Sequence, residues 1–291
     1  MTEEQIAAIS AEDRAEILIQ ALPYIRKYYN KIVVVKYGGN AMTDESLKEQ
    51  VMEDIVLLTL VGIRVVLVHG GGPEINDLLA KLNIESKFVD GLRVTSAEAV
   101  EVVQMVLAGK VNKTLVNMLQ AKGGNAVGIA GMDGRLIQAK QMKEELGYVG
   151  EVTNVNIDPI IDLLDGGYIP VVSTLGCDEQ GNVYNINGDT AAAAIAGALD
   201  AERLIMMTNT PGIMRDMNDP STLIADASIE EAEHLKEQGV ISGGMIPKVN
   251  CCIDAINAGV KNVIIMDGRV PHSILTELLT DEGAGTMIKG A

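Results

Sequence analysis

Residues 32–40 read IVVVKYGGN, and this stretch indicates the fold. Four consecutive β-branched residues, with no polar alternation, are typical of a strand that is buried on both faces of a parallel sheet. The strand ends in Lys36, which is followed by Tyr37, Gly38 and Gly39. The N–H groups of such glycines and the ammonium of such a lysine bind phosphate oxygens. The stretch therefore predicts a phosphate site, with a glycine turn beside a solvated lysine as the alternative.

A second apolar strand is predicted at residues 63–69, and it leads into Gly70, Gly71, Gly72 and Pro73. Proline suits the first turn of a helix, and ligands of open α/β sheets bind at the carboxyl ends of the strands. The glycines therefore indicate a second anion-binding turn, with a tight strand-to-helix turn as the alternative. Strands, glycine turns and helices alternate along the chain, which predicts an α/β fold: a three-layer αβα sandwich with an open, mainly parallel central sheet.

The composition argues against several classes of protein. The chain has 291 residues and a net charge of −17, which disfavours nucleic acid and an anionic membrane surface as partners. Its three cysteines and three histidines follow no disulfide or zinc spacing, so we expect no metal site built by the protein. No apolar run reaches membrane-spanning length, and the acidic start lacks the basic region of a signal peptide. We expect a soluble protein of the reducing cytoplasm.

Residues 1–30 precede the first core strand and have the pattern of an amphipathic helix. Ser10 is a candidate cap, apolar residues recur at helical spacing, and Pro23 predicts a kink. The helix either packs on its own domain or binds a second copy of the chain. Beyond it, residues 31–200 and 201–291 are predicted to form two lobes that join without a linker, because a new strand begins near residue 203.

Polar residues in three later segments are candidates for ligand binding. Arg93 precedes a helix and is placed to bind a carboxylate bidentately, unless it is a solvated surface arginine. Asn185, Asn187 and Asp189 occupy alternate positions, so they face one side of an extended segment. Asp189 orients a lysine in one interpretation, while Asn185 holds a substrate; in the other, Asp189 caps the following helix. Residues 241–248 open a helix with a glycine pair and present Lys248.

The chain lacks a Walker loop and a dinucleotide-binding G-x-G-x-x-G turn in the right context. Instead, five segments in order resemble the amino acid kinase family: KYGG at 36–39, HGGG at 69–72, GLRVT at 91–95, NINGD at 185–189 and GGMIPK at 243–248. The resemblance covers residues 31–291. It is closest to the members that phosphorylate N-acetyl-L-glutamate, and residues 14–40 also look like the arginine-inhibited, hexameric branch of these.

The resemblance implies the amino acid kinase fold and ATP-dependent phosphorylation of the γ-carboxylate of N-acetyl-L-glutamate, the second step of arginine synthesis. Residues 31–200 would hold this substrate, and residues 201–291 would hold ATP with Mg²⁺, the metal being bound mainly by the nucleotide. Catalytic roles are implied for Lys36, Lys248 and Asp189, with the aspartate holding both lysines. Contacts to phosphate are implied for Gly38, Gly39, Gly71 and Gly72. Contacts to the substrate are implied for Gly71, Gly72, Arg93 and Asn185.

Two further sites are implied by the same resemblance. A nucleotide loop would include Thr208, Ile213 and Met214. A site for L-arginine as inhibitor would include His272, Glu277 and Gly283, next to the N-terminal helix. The resemblance also implies a homohexamer, built as a trimer of dimers, and leaves open the docking of a PII-type regulatory protein, for which the sequence has no local motif.

The chemistry of such a transfer fits the candidate residues. A carboxylate nucleophile is already ionised, so no strong base is needed, and the task is positioning and charge neutralisation. The alternatives are a non-catalytic arginine or amino-acid sensor on the same fold, and another amino acid kinase of the glutamate 5-kinase type. The presence of both lysines and Asp189 favours an enzyme over a sensor.

Overall fold

The computed structural model describes residues 8–42, 44–217 and 219–290. Residues 1–7 of the predicted N-terminal segment therefore lie outside the described residues, as do Thr43, Asn218 and Ala291. For Asn40 and Ala41 only the backbone is described.

Strands and helices alternate as predicted. Within the described residues the strands are β1 (Ile32–Tyr37), β2 (Arg64–His69), β3 (Lys87–Val89), β4 (Leu92–Val94), β5 (Ala126–Ala130), β6 (Ile137–Gln141), β7 (Gly150–Val155), β8 (Ile169–Ser173), β9 (Leu175–Cys177), β10 (Val183–Asn185), β11 (Arg203–Thr208), β12 (Asp226–Ser228), β13 (Asn262–Asp267) and β14 (Gly285–Lys289). The α-helices in the same ranges are α1 (Ala11–Gln20), α2 (Leu22–Tyr28), α3 (Glu45–Leu60), α4 (Gly72–Lys81), α5 (Ala97–Gln104), α6 (Asn112–Ala121), α7 (Asp158–Asp165), α8 (Gly188–Ala198), α9 (Ile229–Glu237), α10 (Met245–Asn257) and α11 (Ser273–Leu279). Of these described helices, none has the length and apolarity needed to cross a membrane.

The central sheet has the strand order β12-β14-β13-β11-β1-β2-β8-β5 in the described chain, and its paired strands are parallel except for β13 and β14. β1 lies in the middle. Tyr37 at its end is opposite His69 at the end of β2, so the two predicted glycine turns leave the same edge of the sheet side by side. Strands of both predicted lobes share this one sheet, and the division near residue 200 stays a prediction.

Both faces of the sheet are covered, which explains the unbroken apolar run of β1. Val33 and Val35 belong to the buried cluster on one face and Val34 to the cluster on the other, and all three are fully buried. Full burial of each such side chain stabilises the fold by roughly 1.5–3 kcal/mol. Helices α3–α6 and α11 pack on the first face and α7–α10 on the second. The predicted three-layer αβα sandwich is therefore confirmed.

Two smaller sheets lie outside the central one in the described structure, the pair β3-β4 and the sheet β10-β9-β6-β7. In the sequence, residues 126–153 contain short β-like runs separated by glycines, which predict hairpins at the sheet edge, and residues 128–131 have the composition of a turn. This expectation is wrong for β5, which contains residues 128–130 and pairs with β8 in the central sheet. Within this stretch, β6 and β7 do form an antiparallel pair, but the pair belongs to the separate sheet.

The N-terminal helix is kinked by 31° between α1 and α2, which confirms the prediction from Pro23. Ser10 caps α1, since its hydroxyl accepts a hydrogen bond of 3.0 Å from the N–H of Asp13. Tyr28 of α2 is buried in the core, whereas α1 buries none of its residues. The first expected arrangement, packing on its own domain, therefore holds for α2. In contrast, α1 presents exposed apolar residues to the outside.

One helical feature was not predicted. The sequence pattern predicts two separate helices, at residues 97–107 and 111–122, but a π-helical segment, Met105–Val111, connects α5 to α6 without a break. The expected gap is wrong because Leu107 and Val111 of this segment are buried against Gly71 of the second glycine turn.

A substitution at Gly131 tests the packing of the small sheet against the central one. A methyl group added at Gly131 would lie 2.0 Å from the carbonyl oxygen of Leu175, a backbone atom with little freedom to move. We expect Gly131→Ala to lower the free energy of unfolding by about 3 kcal/mol, measured by urea denaturation. The control is Gly109→Ala, where the added methyl group meets no atom within 4 Å. An equal loss of unfolding free energy in both variants would contradict the close packing of Gly131 against Leu175.

Candidate active site

Three predicted residues meet at the carboxyl end of β1. Asp189 lies in the first turn of α8, and its two carboxylate oxygens bind two different lysines. One oxygen is 2.8 Å from Nζ of Lys36, at the end of β1, and the other is 2.5 Å from Nζ of Lys248, in the first turn of α10. The three side chains are 12–17% exposed. A single carboxylate therefore holds two ammonium groups next to each other in a largely dry site.

The protonation of Asp189 follows from these contacts. Burial on its own would raise the pKa of the carboxyl, but the charges and hydrogen bonds of Lys36 and Lys248 outweigh it and lower the pKa to about 2. The carboxylate is thus ionised throughout the physiological range. It has no proton to give and no free oxygen with which to take one, so it acts on the two lysines.

Asn187, and not Asp189, caps α8. The side-chain oxygen of Asn187 accepts hydrogen bonds from the N–H groups of Asp189 at 2.9 Å and of Thr190 at 3.2 Å. The alternative that Asp189 serves as the helix cap is therefore wrong. Asparagine is among the best capping residues, and because it takes this role, the carboxylate of Asp189 is available to the lysines.

Gly38 and Gly39 follow Lys36 closely in space as well as in sequence. A methyl group at Gly38 would lie 3.1 Å from Nζ of Lys36, and one at Gly39 would lie 3.1 Å from the side-chain oxygen of Asn209. Gly39 also has φ +72°, a conformation that side chains disfavour. The turn thus requires glycine at both positions and leaves its backbone bare beside the ammonium group.

A cavity of about 150 Å³ lies beside this group, and it collects most of the predicted substrate residues. Its lining includes the turn at residues 70–72, Arg93, Asn185, Asn187 and Gly188. Gly188 connects the cavity to the lysines, because a methyl group there would lie 3.3 Å from Cε of Lys36.

Arg93 is buried in the wall of this cavity, with 7% of its surface exposed, so the alternative of a solvated arginine is wrong. Its guanidinium lies over the ring of Phe88, donates to the hydroxyl of Ser86 and donates to the carbonyl of Gly72 at 3.4 Å. Burial lowers the pKa of the guanidinium, and no described carboxylate acts on it. A buried cation without a counter-charge fits an anionic ligand.

Asn185, at the end of β10, is held next to Arg93 by a threonine. The amide nitrogen of Asn185 donates to the hydroxyl of Thr95 at 3.2 Å, and this hydroxyl donates to the carbonyl of Arg93 at 2.9 Å. The two predicted substrate residues, which are 92 positions apart, are thereby joined through the two small sheets.

A second cavity, of about 290 Å³, lies on the side of Lys248. Its lining includes the three residues predicted for the nucleotide loop, Thr208, Ile213 and Met214. The hydroxyl of Thr210 in the same lining is buried and has no hydrogen-bond partner among the described residues, which fits a polar ligand. A larger space of about 880 Å³, lined by Asp189, Leu92 and Gly244 among others, lies between elements of the two predicted lobes.

The described residues do not build a metal centre of their own. No group of three or more histidine, cysteine, aspartate or glutamate side chains in this part of the chain is arranged to hold a metal ion. Both oxygens of Asp189 bind lysines. A Mg²⁺ ion at this site would therefore depend on phosphate oxygens of the nucleotide for most of its ligands, as is usual for this ion.

The residues predicted for arginine lie near the N-terminal helix but not all together. Glu277 accepts a hydrogen bond of 2.9 Å from the N–H of Ala284, and a methyl group at Gly283 would be 3.8 Å from the same carboxylate. Burial raises the pKa of Glu277, while the charges of Arg203 and Lys27 oppose this. His272 instead pairs with Asp54 of α3 at 2.6 Å.

Several residues of the site escaped the sequence analysis. Ser86 and Thr210 contact or line the site through the fold, and nothing in their local sequence distinguishes them. Thr95 lies in the GLRVT segment and Asn187 in the NINGD segment, but the hydrogen bonds of Thr95 and the capping role of Asn187 were not predicted. The cap carried a usable signal, because an asparagine two or three residues before an alanine-rich helix is a common cap.

Comparisons with known proteins agree with this geometry. Residues 31–267 match the amino acid kinase family. The acetylglutamate kinase of Clostridioides difficile (strain 630) is 55% identical over 278 residues, which are 95% of this chain and 97% of that protein. Among solved structures, the N-acetylglutamate synthase of Neisseria gonorrhoeae complexed with coenzyme A and N-acetyl-glutamate has a TM-score of 0.83 at 28% identity, over 94% of this chain and 63% of that one. The same synthase complexed with coenzyme A and L-arginine has a TM-score of 0.78 at 26% identity, over 94% and 65%.

The lysine–aspartate–lysine group predicts a distinct response to acid. Because the pKa of Asp189 is about 2 in the folded state and 3.8 ordinarily, its contribution of about 2 kcal/mol is present above pH 4 and is lost as the pH falls through 2. We expect Asp189→Asn to lower the free energy of unfolding at pH 7 by about 3–5 kcal/mol, since it leaves two buried cations unpaired. The variant should also lack the acid-dependent loss between pH 4 and pH 2.

The measurement is urea denaturation of both proteins from pH 2 to pH 7. Asp77→Asn is the control, because Asp77 pairs with Lys81 on the surface and its loss should leave the unfolding curve unchanged. Parallel pH curves for the protein and its Asp189→Asn variant would contradict the assigned pKa.

Proposed function

Because the chain belongs to the amino acid kinase family, we propose that this phosphotransferase acts on N-acetyl-L-glutamate. It transfers the γ-phosphoryl group of ATP to the γ-carboxylate, and the product, N-acetyl-L-glutamyl 5-phosphate, serves arginine biosynthesis. The observation that carries the proposal is the position of the lysines. Lys36 lies beside the cavity of Arg93, Lys248 lines the cavity of the nucleotide-loop residues, and Asp189 joins them.

The acceptor occupies the smaller cavity in this proposal. Arg93 binds its α-carboxylate, because the buried guanidinium has no counter-charge among the residues that the structure describes and offers a planar, bidentate donor. Asn185 contacts the same substrate from the neighbouring small sheet. The N–H groups of Gly71 and Gly72, at the beginning of α4, meet oxygens at the reacting end, since the first N–H groups of a helix have no partner within it.

The donor occupies the cavity of about 290 Å³ beside Lys248, with Thr208, Ile213 and Met214 in contact with the nucleotide. Mg²⁺ bound to its phosphates neutralises part of their charge. Lys248 reaches the phosphates from this side, and the bare backbone of Gly38 and Gly39 donates to them from the end of β1.

The transfer itself needs no general base, because the γ-carboxylate is ionised. An oxygen of this carboxylate forms a bond to the γ-phosphorus, and the bond from that phosphorus to the β–γ bridging oxygen breaks, so that ADP leaves. Two anions must approach each other, and the charge on the phosphoryl oxygens is met by Lys36 and Lys248. Asp189 is a positioning residue, since it keeps both ammonium groups aimed at one point.

The relatives support this acceptor. The similar protein from Clostridioides difficile is an acetylglutamate kinase, and the synthase from Neisseria gonorrhoeae was solved with N-acetyl-glutamate. A non-catalytic sensor remains the alternative class, but a protein that only binds an amino acid has no use for two desolvated lysines held at the boundary of two cavities.

We also infer that L-arginine inhibits the enzyme at the end of the chain near α2. Glu277 is a half-buried carboxylate close enough to Lys27 and Arg203 to be affected by their charges, and such a carboxylate suits a guanidinium or an α-amino group. The synthase with L-arginine bound adds support by likeness of fold.

The exposed apolar residues of α1, among them Ile17 and Leu18, would pack on another copy of the chain in a homohexamer. Light scattering that finds only monomers would contradict this.

The first test is turnover by a lysine variant. We expect Lys36→Ala to lower kcat by about 10²–10³-fold, because one of two donors to the transferred phosphoryl group is lost. The measurement is ADP release from ATP and Mg²⁺ with N-acetyl-L-glutamate, compared with L-glutamate as acceptor. Lys81→Ala, which removes a surface lysine, is the control and should keep normal turnover. Near-normal turnover of Lys36→Ala would contradict the mechanism, and no turnover of the unchanged protein with any acceptor would favour the sensor.

The second test concerns inhibition. We expect Glu277→Gln to raise the arginine concentration for half-inhibition by about tenfold or more, because a charged hydrogen-bond acceptor is lost, with kcat unchanged in the absence of arginine. Glu282→Gln, on the exposed loop that follows α11, is the matched control. If the unchanged enzyme ignores arginine, the regulatory inference fails while the kinase assignment stands.

A further inference from the structure

A row of polar side chains leads from the protein surface to the glycine turn at residues 70–72, and the transfer described above does not use it. Lys113 donates to the side-chain oxygen of Asn112 at 2.9 Å and to the carbonyl of Gly128 at 2.9 Å. The side-chain nitrogen of Asn112 lies 3.1 Å from Nε2 of His69. Nδ1 of His69 lies 2.8 Å from the carbonyl oxygen of Gly70. His69 and Asn112 are completely buried.

The chemistry of these groups permits one direction for every hydrogen bond in the row. A lysine ammonium only donates, so the oxygen of Asn112 must face Lys113 and its nitrogen must face His69. This orientation also lets the nitrogen donate to the carbonyl of Val171 at 2.9 Å. Nε2 of His69 is therefore an acceptor, and Nδ1 carries the hydrogen that is donated to Gly70. Burial lowers the pKa of His69 to about 4, so the ring is neutral at physiological pH.

The hydrogen bond to Gly70 determines where the next N–H group points. The chain has no cis peptide among its described residues, and in a trans peptide unit the carbonyl and the following N–H point in opposite directions. His69 holds the carbonyl of Gly70 on one side, so the N–H of Gly71 points to the other. Gly71 lines the acceptor cavity, at the N-cap position of α4.

The π-helical segment Met105–Val111 packs closely against the same glycine, Gly71. A methyl group at Gly71 would lie 2.8 Å from Cδ2 of Leu107 and 3.1 Å from Cγ2 of Val111. Asn112 follows this segment directly, so one stretch of helix both presses on Gly71 and supports His69. π-helical segments are frequent at functional sites.

We propose that His69 is a positioning residue for phosphoryl transfer, and that Asn112 and Lys113 select the tautomer in which it holds the Gly70 carbonyl and directs the Gly71 N–H into the acceptor cavity. The proposal rests on the proposed function for the identity of the acceptor. It extends the site by three residues that do not touch the substrate.

Two substitutions of His69 separate its two hydrogen bonds. His69→Asn keeps a donor at the position of Nδ1 and loses the acceptor for Asn112. His69→Gln keeps an acceptor near the position of Nε2 and loses the donor to Gly70. We expect His69→Gln to raise KM for N-acetyl-L-glutamate about tenfold with KM for ATP unchanged, and His69→Asn to keep KM for both substrates within about threefold. Equal effects of both variants on both substrates would overturn the proposal and leave His69 a merely structural residue.

A second measurement needs no substrate, and its first part needs no substitution. The ¹⁵N shifts of the imidazole of His69 in the unchanged protein at pH 7 report which nitrogen carries the hydrogen. We expect hydrogen on Nδ1, and hydrogen on Nε2 would overturn the proposal even if both variants fail to fold. The amide resonance of Gly71 should move in His69→Gln and stay near its position in His69→Asn. Because these signals are read without turnover, failure of this proposal is distinguishable from failure of the proposed function, which is decided by ADP release.

Discussion

The site depends on one carboxylate that holds two cations together. Two ammonium groups that are nearly buried repel each other and lose their hydration, and both costs grow as water is excluded. Asp189 offsets them with one oxygen for each lysine. The consequence extends beyond the site, because Lys36 is on β1, Asp189 on α8 and Lys248 on α10. The two ion pairs of Asp189 therefore connect the centre of the sheet with two helices on one of its faces.

The same interaction explains how a strongly acidic chain binds anions. With a net charge of −17, the average field of the protein repels ATP and a dicarboxylate alike. Attraction must then come from groups within a few ångströms, and these are concentrated at one edge of the sheet. Lys36 and Lys248 lie there with Arg93. The two glycine turns add backbone N–H groups, which are neutral but donate hydrogen bonds to anions.

The sequence was informative wherever a local pattern has one physical solution. A run of β-branched residues that ends in a lysine and two glycines predicts a buried strand and a bare turn, and both are present. The pattern was ambiguous at Asp189, because an aspartate at the start of a helix can either cap that helix or bind another side chain. The structure shows that Asn187 caps the helix, which leaves Asp189 to bind the lysines. It failed at residues 128–131, where glycines in a strand resemble a turn. It carried no signal for Arg93 meeting Ser86, or for Lys113 meeting Asn112 and His69, since these contacts depend on packing between distant segments.

In the proposed function, transfer and acceptor recognition are carried by different parts of the fold. Lys36 and the turn at residues 38–39 extend from the central sheet, whose register is imposed by burial on both faces. Arg93 and Asn185 belong to the two small sheets, which are joined to each other by the hydroxyl of Thr95 and which cover the carboxyl edge. The strands of the central sheet are packed on both faces, with Val33–Val35 fully buried, whereas all three residues of β3 in a small sheet are exposed. The constraint on phosphoryl transfer is therefore the packing of the sandwich, and the choice of acceptor is left to the residues that the small sheets bring to its edge.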